Sequence, residues 1–149
     1  MATLETYVEG ADKAVIHLKN YGRHIEHFSD LWPDIIEAFT ARESLWFGAQ
    51  GEGSWPALSP SYAAWKAVVY PGRPILVATG DLKDSLTTDK AVLAQTDTML
   101  LLGSADPKAK WHQHGTARMP ARPPLIPKIR LEAAIARLLD LWIEYKPGG

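Results

Sequence analysis

Hydrophobic positions along this chain change period several times, and each change predicts an element. Leu4, Thr6 and Val8 alternate with polar neighbours between Thr3 and Glu9, the period of a short strand. From Ala11 the spacing lengthens. Ala11, Ala14, Val15, Leu18, Tyr21, Ile25 and Phe28 fall on one helical face, with Lys13, His17, Asn20, His24 and His27 on the other, so an amphipathic helix is expected. Pro33 suits the first turn of a second helix, Asp34 lies near its positive end, and Trp32, Ile35, Ile36, Phe39, Trp46 and Phe47 keep a helical stripe. A bend near Ser29 to Trp32 would join the two helices.

Residues 48–55 hold three glycines and no apolar period, which predicts an exposed, mobile loop. Ser59 and Pro60 form an N-cap and first-turn pair, after which Tyr62, Trp65 and Val69 share a face until Pro71-Gly72 stops the helix. Ile75 to Ala78 reads as a buried strand, and Thr79-Gly80-Asp81 leads into a helical turn carrying Leu82 and Leu86. Val92 to Thr96 and Met99 to Gly103 form a hairpin pattern around Asp97-Thr98, although this is a weaker turn pair than Asp-Gly. Asp106 to Gly115 is a short helix or an irregular loop. Four prolines between Met119 and Pro127 forbid regular helix and predict a stiff, extended arm over 117–127. Leu131, Ala134, Ile135, Leu138, Leu141, Trp142 and Tyr145 define a final helix over 128–145.

These elements predict a single α+β domain spanning residues 1–149: a small, twisted, mainly antiparallel sheet packed by amphipathic helices, with an extended loop and a Pro-rich arm. The length and the 46% apolar content agree with one core. A formal charge of -1 provides no overall field for phosphates, so no sequence-specific nucleic acid is expected as a partner. With no cysteine, disulfides and thiolate chemistry are excluded. No segment approaches the roughly 18 apolar residues of a membrane span, so no membrane partner is expected and the chain is expected to be made and kept in a cytoplasm. Six tryptophans are many for this length; Trp46, Trp65, Trp111 and Trp142 are expected in the core.

Catalytic patterns are sparse. Ser54, Ser59, Ser61 and Ser85 lack the G-x-S-x-G turn, and neither Gly-rich nucleotide motif occurs. Asp81 and Asp84 suit a helix N-terminus. His17, His24 and His27, or His112 and His114, fall short of a ligand set for a metal. The reading is a non-enzymatic chain without cofactor or metal.

Four patterns occur in order: Trp55-Pro56-Ala57-Leu58-Ser59-Pro60 with Tyr62 and Trp65; Arg73-Pro74-Ile75-Leu76 running into Thr79-Gly80-Asp81-Leu82 and Ser85-Leu86; His112-Gln113-His114-Gly115-Thr116; and Met119-Pro120-Ala121-Arg122-Pro123. Together they resemble the phage virion morphogenesis, or tail-completion, family. The resemblance implies a structural virion protein of a tailed bacteriophage that completes the tail or joins it to the DNA-filled head. It further implies a homo-oligomeric ring, with a hexamer as first guess, in the virion tail or neck after assembly in the host cytoplasm. Its expected partners are other copies of itself, a tail terminator or tail-tube protein, and head-closure or connector proteins.

Trp55, Arg73, His114, Arg118, Met119, Arg122 and Pro123 are the expected subunit or partner contacts. Prolines would pre-order the arm, and the Arg118 and Arg122 forks would reach carboxylates on the next subunit, so that Arg122→Ala would leave the monomer folded. Alternatively the prolines shape a loop over the core. Trp55 is either a plug closing the glycine loop or an interface anchor, the plug being favoured. Gly80 and Gly115 are expected to serve turns. Two rival readings are a metal-dependent hydrolase using His112 and His114, and a cellular binding module of the same fold.

Overall fold

The computed structural model describes residues 4–9, 13–18 and 28–145. Two strands, β1 (Leu4–Glu9) and β2 (Lys13–Leu18), are followed by a 3-10 turn at Phe28–Leu31 and helix α1 (Trp32–Gly48). Helices α2 (Pro60–Val69) and α3 (Asp81–Thr87) precede the hairpin of β3 (Val92–Gln95) and β4 (Met99–Gly103). Two more helices, α4 (Lys108–His114) and α5 (Lys128–Tyr145), complete an α+β fold. The sheet order is β1-β2-β4-β3, with antiparallel pairing throughout.

The second strand corrects the helix expected from Ala11. Lys13 to Leu18 pairs with β1 on one side, from Leu4 opposite Leu18 to Glu9 opposite Lys13, and with β4 on the other. Six residues are compatible with either period: Ala14, Val15 and Leu18 fit one helical face, whereas Ala14, Ile16 and Leu18 alternate with Lys13, Val15 and His17 as in a strand. Pairing on both edges and the β-branched Val15 and Ile16 decide for the strand. His24, His27 and the remainder of that expected helix lie outside the described residues.

Helix α1 forms where its stripe predicts, with Pro33 in its first turn. It buries Trp32, Ile35, Phe39, Trp46 and Phe47 and packs against α3 and α5. Leu82 and Leu86 of α3, Leu100 and Leu102 of β4, and Leu131, Ile135 and Leu139 of α5 complete the core. The β3–β4 hairpin closes without a strong turn pair because Thr96 N–H donates to Met99 O at 2.8 Å and its hydroxyl accepts from Met99 N–H at 3.0 Å. Trp32 Nε1–H then donates to Thr96 O at 2.7 Å, fixing the hairpin turn beside the start of α1. No helix among the described residues is long and apolar enough to cross a membrane.

Three connecting segments differ from expectation. Residues 48–55 are pinned rather than a mobile loop: Gln50 accepts from Ile75 N–H at 2.9 Å and donates to Phe47 O at 2.8 Å. Gly51 lies directly beneath Trp55, where a Cβ would stand 2.6 Å from the indole. Ile75 to Ala78 is a turn, not a strand, because Leu76 adopts a φ of +62° and Val77 N–H bonds back to Pro74 O at 3.1 Å.

The Pro-rich segment over 117–127 is largely extended, as its prolines predict, but it lies against its own body and does not project as an arm. Arg122 N–H donates to His112 O at 2.7 Å, and Ile126 N–H donates to Glu43 Oε1 at 2.9 Å. Trp46 and Trp55 both donate their indole N–H to Pro123 O, at 3.0 and 2.9 Å. Those bonds, with Leu125 in the core, hold the segment where the loop alternative places it.

Candidate protein interface

Helix α2 is assembled from Ser59, whose side chain accepts from Tyr62 N–H at 3.4 Å, and Pro60 in the first turn. Apart from Lys66 its interior is apolar, Ala63, Ala64 and Ala67 standing between Tyr62, Trp65, Val68 and Val69, and the shared face of Tyr62, Trp65 and Val69 is the one expected to be buried. The tertiary structure selects an unusual one. Lys66 is the buried residue of α2, and its ammonium donates to the Pro74 carbonyl. The apolar residues face outward: Trp65 is 49% exposed and Val68 82%. Trp65 and Trp111, the latter 53% exposed, therefore do not join the core as expected.

Tyr62, Trp65 and Tyr70 form an aromatic ladder along this outer face. Tyr62 and Trp65 lie 5.4 Å apart at 34°, and Trp65 meets Tyr70 edge-on at 5.9 Å. Large apolar side chains gathered at the surface mark interaction sites more often than they occur by chance on a free monomer.

Beneath the helix runs a cleft of about 410 Å³, walled by α2, the 76–80 turn, α4 and the 118–122 segment. Lys66, Lys108, His112, Arg118 and Arg122 line it, and no carboxylate does. Arg122 is buried, its Nε and Nη2 donating to Pro56 O at 2.7 Å and Ala57 O at 2.8 Å. Burial lowers the pKa of Lys66. His112 is lowered too, by burial first and then by the Arg122 charge, with Asp106 partly offsetting both. Its Nδ1 is buried and meets no hydrogen-bonding group among the described residues.

The expected contact residues separate into three groups. Arg118, Met119 and Arg122 line the cleft. Trp55 is the favoured plug, buried edge-on against Trp46 and Phe47, and Pro123 beside it accepts the two indole bonds. Arg73 and His114 are exposed outside the cleft lining. Arg122 makes its fork-shaped contact within its own chain rather than across a subunit boundary. Lys66 and the outer face of α2 are the features that hydrophobic periodicity missed; the apolar circumference of α2 was the available signal.

His112 and His114 stand about 200° apart around α4, since a helix advances 100° per residue. One is half-buried beside the cleft and the other exposed. Among the described residues no group of three or more His, Cys, Asp or Glu side chains is placed to hold a metal. Gly80 and Gly115 occupy positive φ, at 101° and 73°, and a Cβ on Gly115 would stand 2.7 Å from Ala121 N. Compared with protein-family models, with curated proteins and with solved structures, the chain finds no match.

Proposed function

We propose that this chain is a structural virion protein of a tailed bacteriophage, acting in tail completion or head-to-tail joining as a homo-oligomeric ring. The observation that carries the reading is the convergence of its four sequence patterns on one surface. Leu58 and Tyr62 of the first pattern line the same cleft as Leu76 and Gly80 of the second, and Arg122 from the fourth bonds Pro56 and Ala57 of the first and His112 of the third. Patterns far apart in sequence thus build one cleft beside an exposed apolar helix. Such a surface suits docking better than turnover, since no nucleophile, base and orienting group stand together in it.

In this reading the neighbours are other copies of the chain, a tail terminator or tail-tube protein on one side and head-closure or connector proteins on the other. A hexamer is the first ring to test. The chain would reside in the host cytoplasm during assembly and then in the virion neck or tail. Electron microscopy of lysates from phage lacking the gene tests the role directly. Full heads beside unjoined tails, rescued by adding purified protein, are expected; normal joined virions without the gene would refute it.

A further inference from the structure

The cleft contains buried cationic groups without a carboxylate partner among the described residues. Lys66 and Arg122 are each only 4% exposed. Neither belongs to an ion pair among the described residues, where Lys108 pairs with Asp106, Lys128 with Glu132 and Arg130 with Glu52. Burying a cation without a counter-charge is costly, and carbonyl oxygens offset only part of that cost. Arg118 and Lys108 add exposed cations at the rim. The rest of the lining includes Leu58, Leu76 and Met119. An occupant therefore needs carboxylates carried on an apolar body. Because Tyr62 lines the cleft and also stacks on Trp65, the surface continues onto α2. Ten helical residues extend it by roughly 15 Å, more than a small molecule covers.

A surface of that chemistry exists at the start of helix α1, the end away from Trp46. Asp34 and Glu37 are exposed in the first turns of α1, with Asp30 just before them. The Trp32–Thr96 bond brings the hairpin turn containing exposed Asp97 to the same end. Exposed Pro33 and half-buried Ile36 supply apolar contact between these carboxylates. None of the four acids belongs to an ion pair among the described residues. Helix α1, 17 residues and therefore roughly 25 Å long, separates this end from Trp46, which bonds the Pro123 carbonyl next to Arg122.

From this segregation we infer that the cationic cleft and outer face of α2 in one subunit receive the acidic start of α1 in a second copy of the chain. Two different, complementary surfaces on one subunit make a heterologous contact, which closes into a ring when its rotation permits. The inference rests on the ring reading above and specifies its interface.

The test uses the full chain and two variants altered only at exposed positions, with circular dichroism confirming the fold of each. One carries Lys108→Glu and Arg118→Glu at the cleft rim; the other carries Asp34→Lys and Glu37→Lys. Sedimentation velocity at low salt should show concentration-dependent association of the wild type, weakened at least about tenfold in either variant alone. An equimolar mixture of the two should recover it, because every contact then joins opposite charges. Wild type that remains monomeric up to its solubility limit, or a cleft variant that associates like wild type, overturns the inference. Wild type that stays monomeric but binds a DNA oligonucleotide, with binding lost in the cleft variant, overturns it in favour of phosphate. The lysate rescue separates this failure from the larger one. Rescue by wild-type and cleft-variant protein alike leaves the joining role intact and removes this interface, whereas no rescue by wild-type protein removes the joining role itself.

Discussion

Glu43 is a carboxyl group fully buried in the middle of the helix that organises the core. Its Oε1 accepts from Ile126 N–H at 2.9 Å, while Oε2 is buried without a hydrogen-bonding partner. One amide is insufficient to stabilise a carboxylate there, and burial raises its pKa from 4.5 to about 8, the Ile126 bond opposing only part of the rise. The side chain is therefore mainly neutral at pH 7. Because the folded-state value lies above the unfolded one, its contribution to stability is fully present below about pH 4.5 and is lost as pH rises through about 8. At 1.36 kcal/mol per pKa unit, that loss amounts to about 3 kcal/mol between about pH 5 and about pH 8.

Glu43→Gln keeps the acceptor for Ile126 and removes the proton equilibrium. Urea unfolding followed by tryptophan fluorescence, measured at a series of pH values for both chains, should give a difference in unfolding free energy of that size across the range. The wild type should lose stability relative to the variant as pH rises. His112, whose pKa is lowered, contributes with the opposite sign: stability falls as pH drops through its folded value, and is regained up to the unfolded value. That contribution is common to both chains and cancels in the difference. Parallel pH profiles would refute the assignment of a buried neutral acid.

Three other perturbations probe the parts around it. Arg122→Ala removes the donors from Pro56 O and Ala57 O at a buried position, so it should destabilise the subunit by roughly 2–4 kcal/mol in urea unfolding. Gly115→Ala combines a φ of 73° with a 2.7 Å approach to Ala121 N and should cost roughly 1–3 kcal/mol, read as a lowered melting temperature. Trp65→Ser, at a half-exposed site, should change unfolding stability by less than about 1 kcal/mol yet weaken self-association in sedimentation experiments; unchanged association would remove the outer face of α2 from the interface.

Long, strongly periodic segments were legible because their apolar residues have one geometric solution. The stripe from Trp32 to Phe47 and the one that begins at Leu131, Ala134 and Ile135 can be buried together only as helices, and α1 and α5 form there. The hairpin around Asp97-Thr98 was legible from two β-compatible runs separated by a short turn pair. The six residues of β2 were too few to distinguish the periods, and their fate depended on β4, more than eighty positions away. Gly-rich and Pro-rich composition marked the connections at 48–55 and 117–127 but not where they lie. Gly51 is packed under Trp55, and Pro123 caps two indoles, through contacts with distant parts of the chain.

The division at the cleft follows from the same physics. Local sequence determined that α2 is a helix, through the Ser59 cap, Pro60 and the alanines, and that Gly115 turns the chain after α4. Those preferences act over one or two turns of backbone. Which side of α2 faces inward, and that Lys66 is buried while Trp65 remains outside, was decided by the tertiary structure alone. The Pro74, Pro56 and Ala57 carbonyls that satisfy the buried cations acquire their positions only when the connecting segments close on the core.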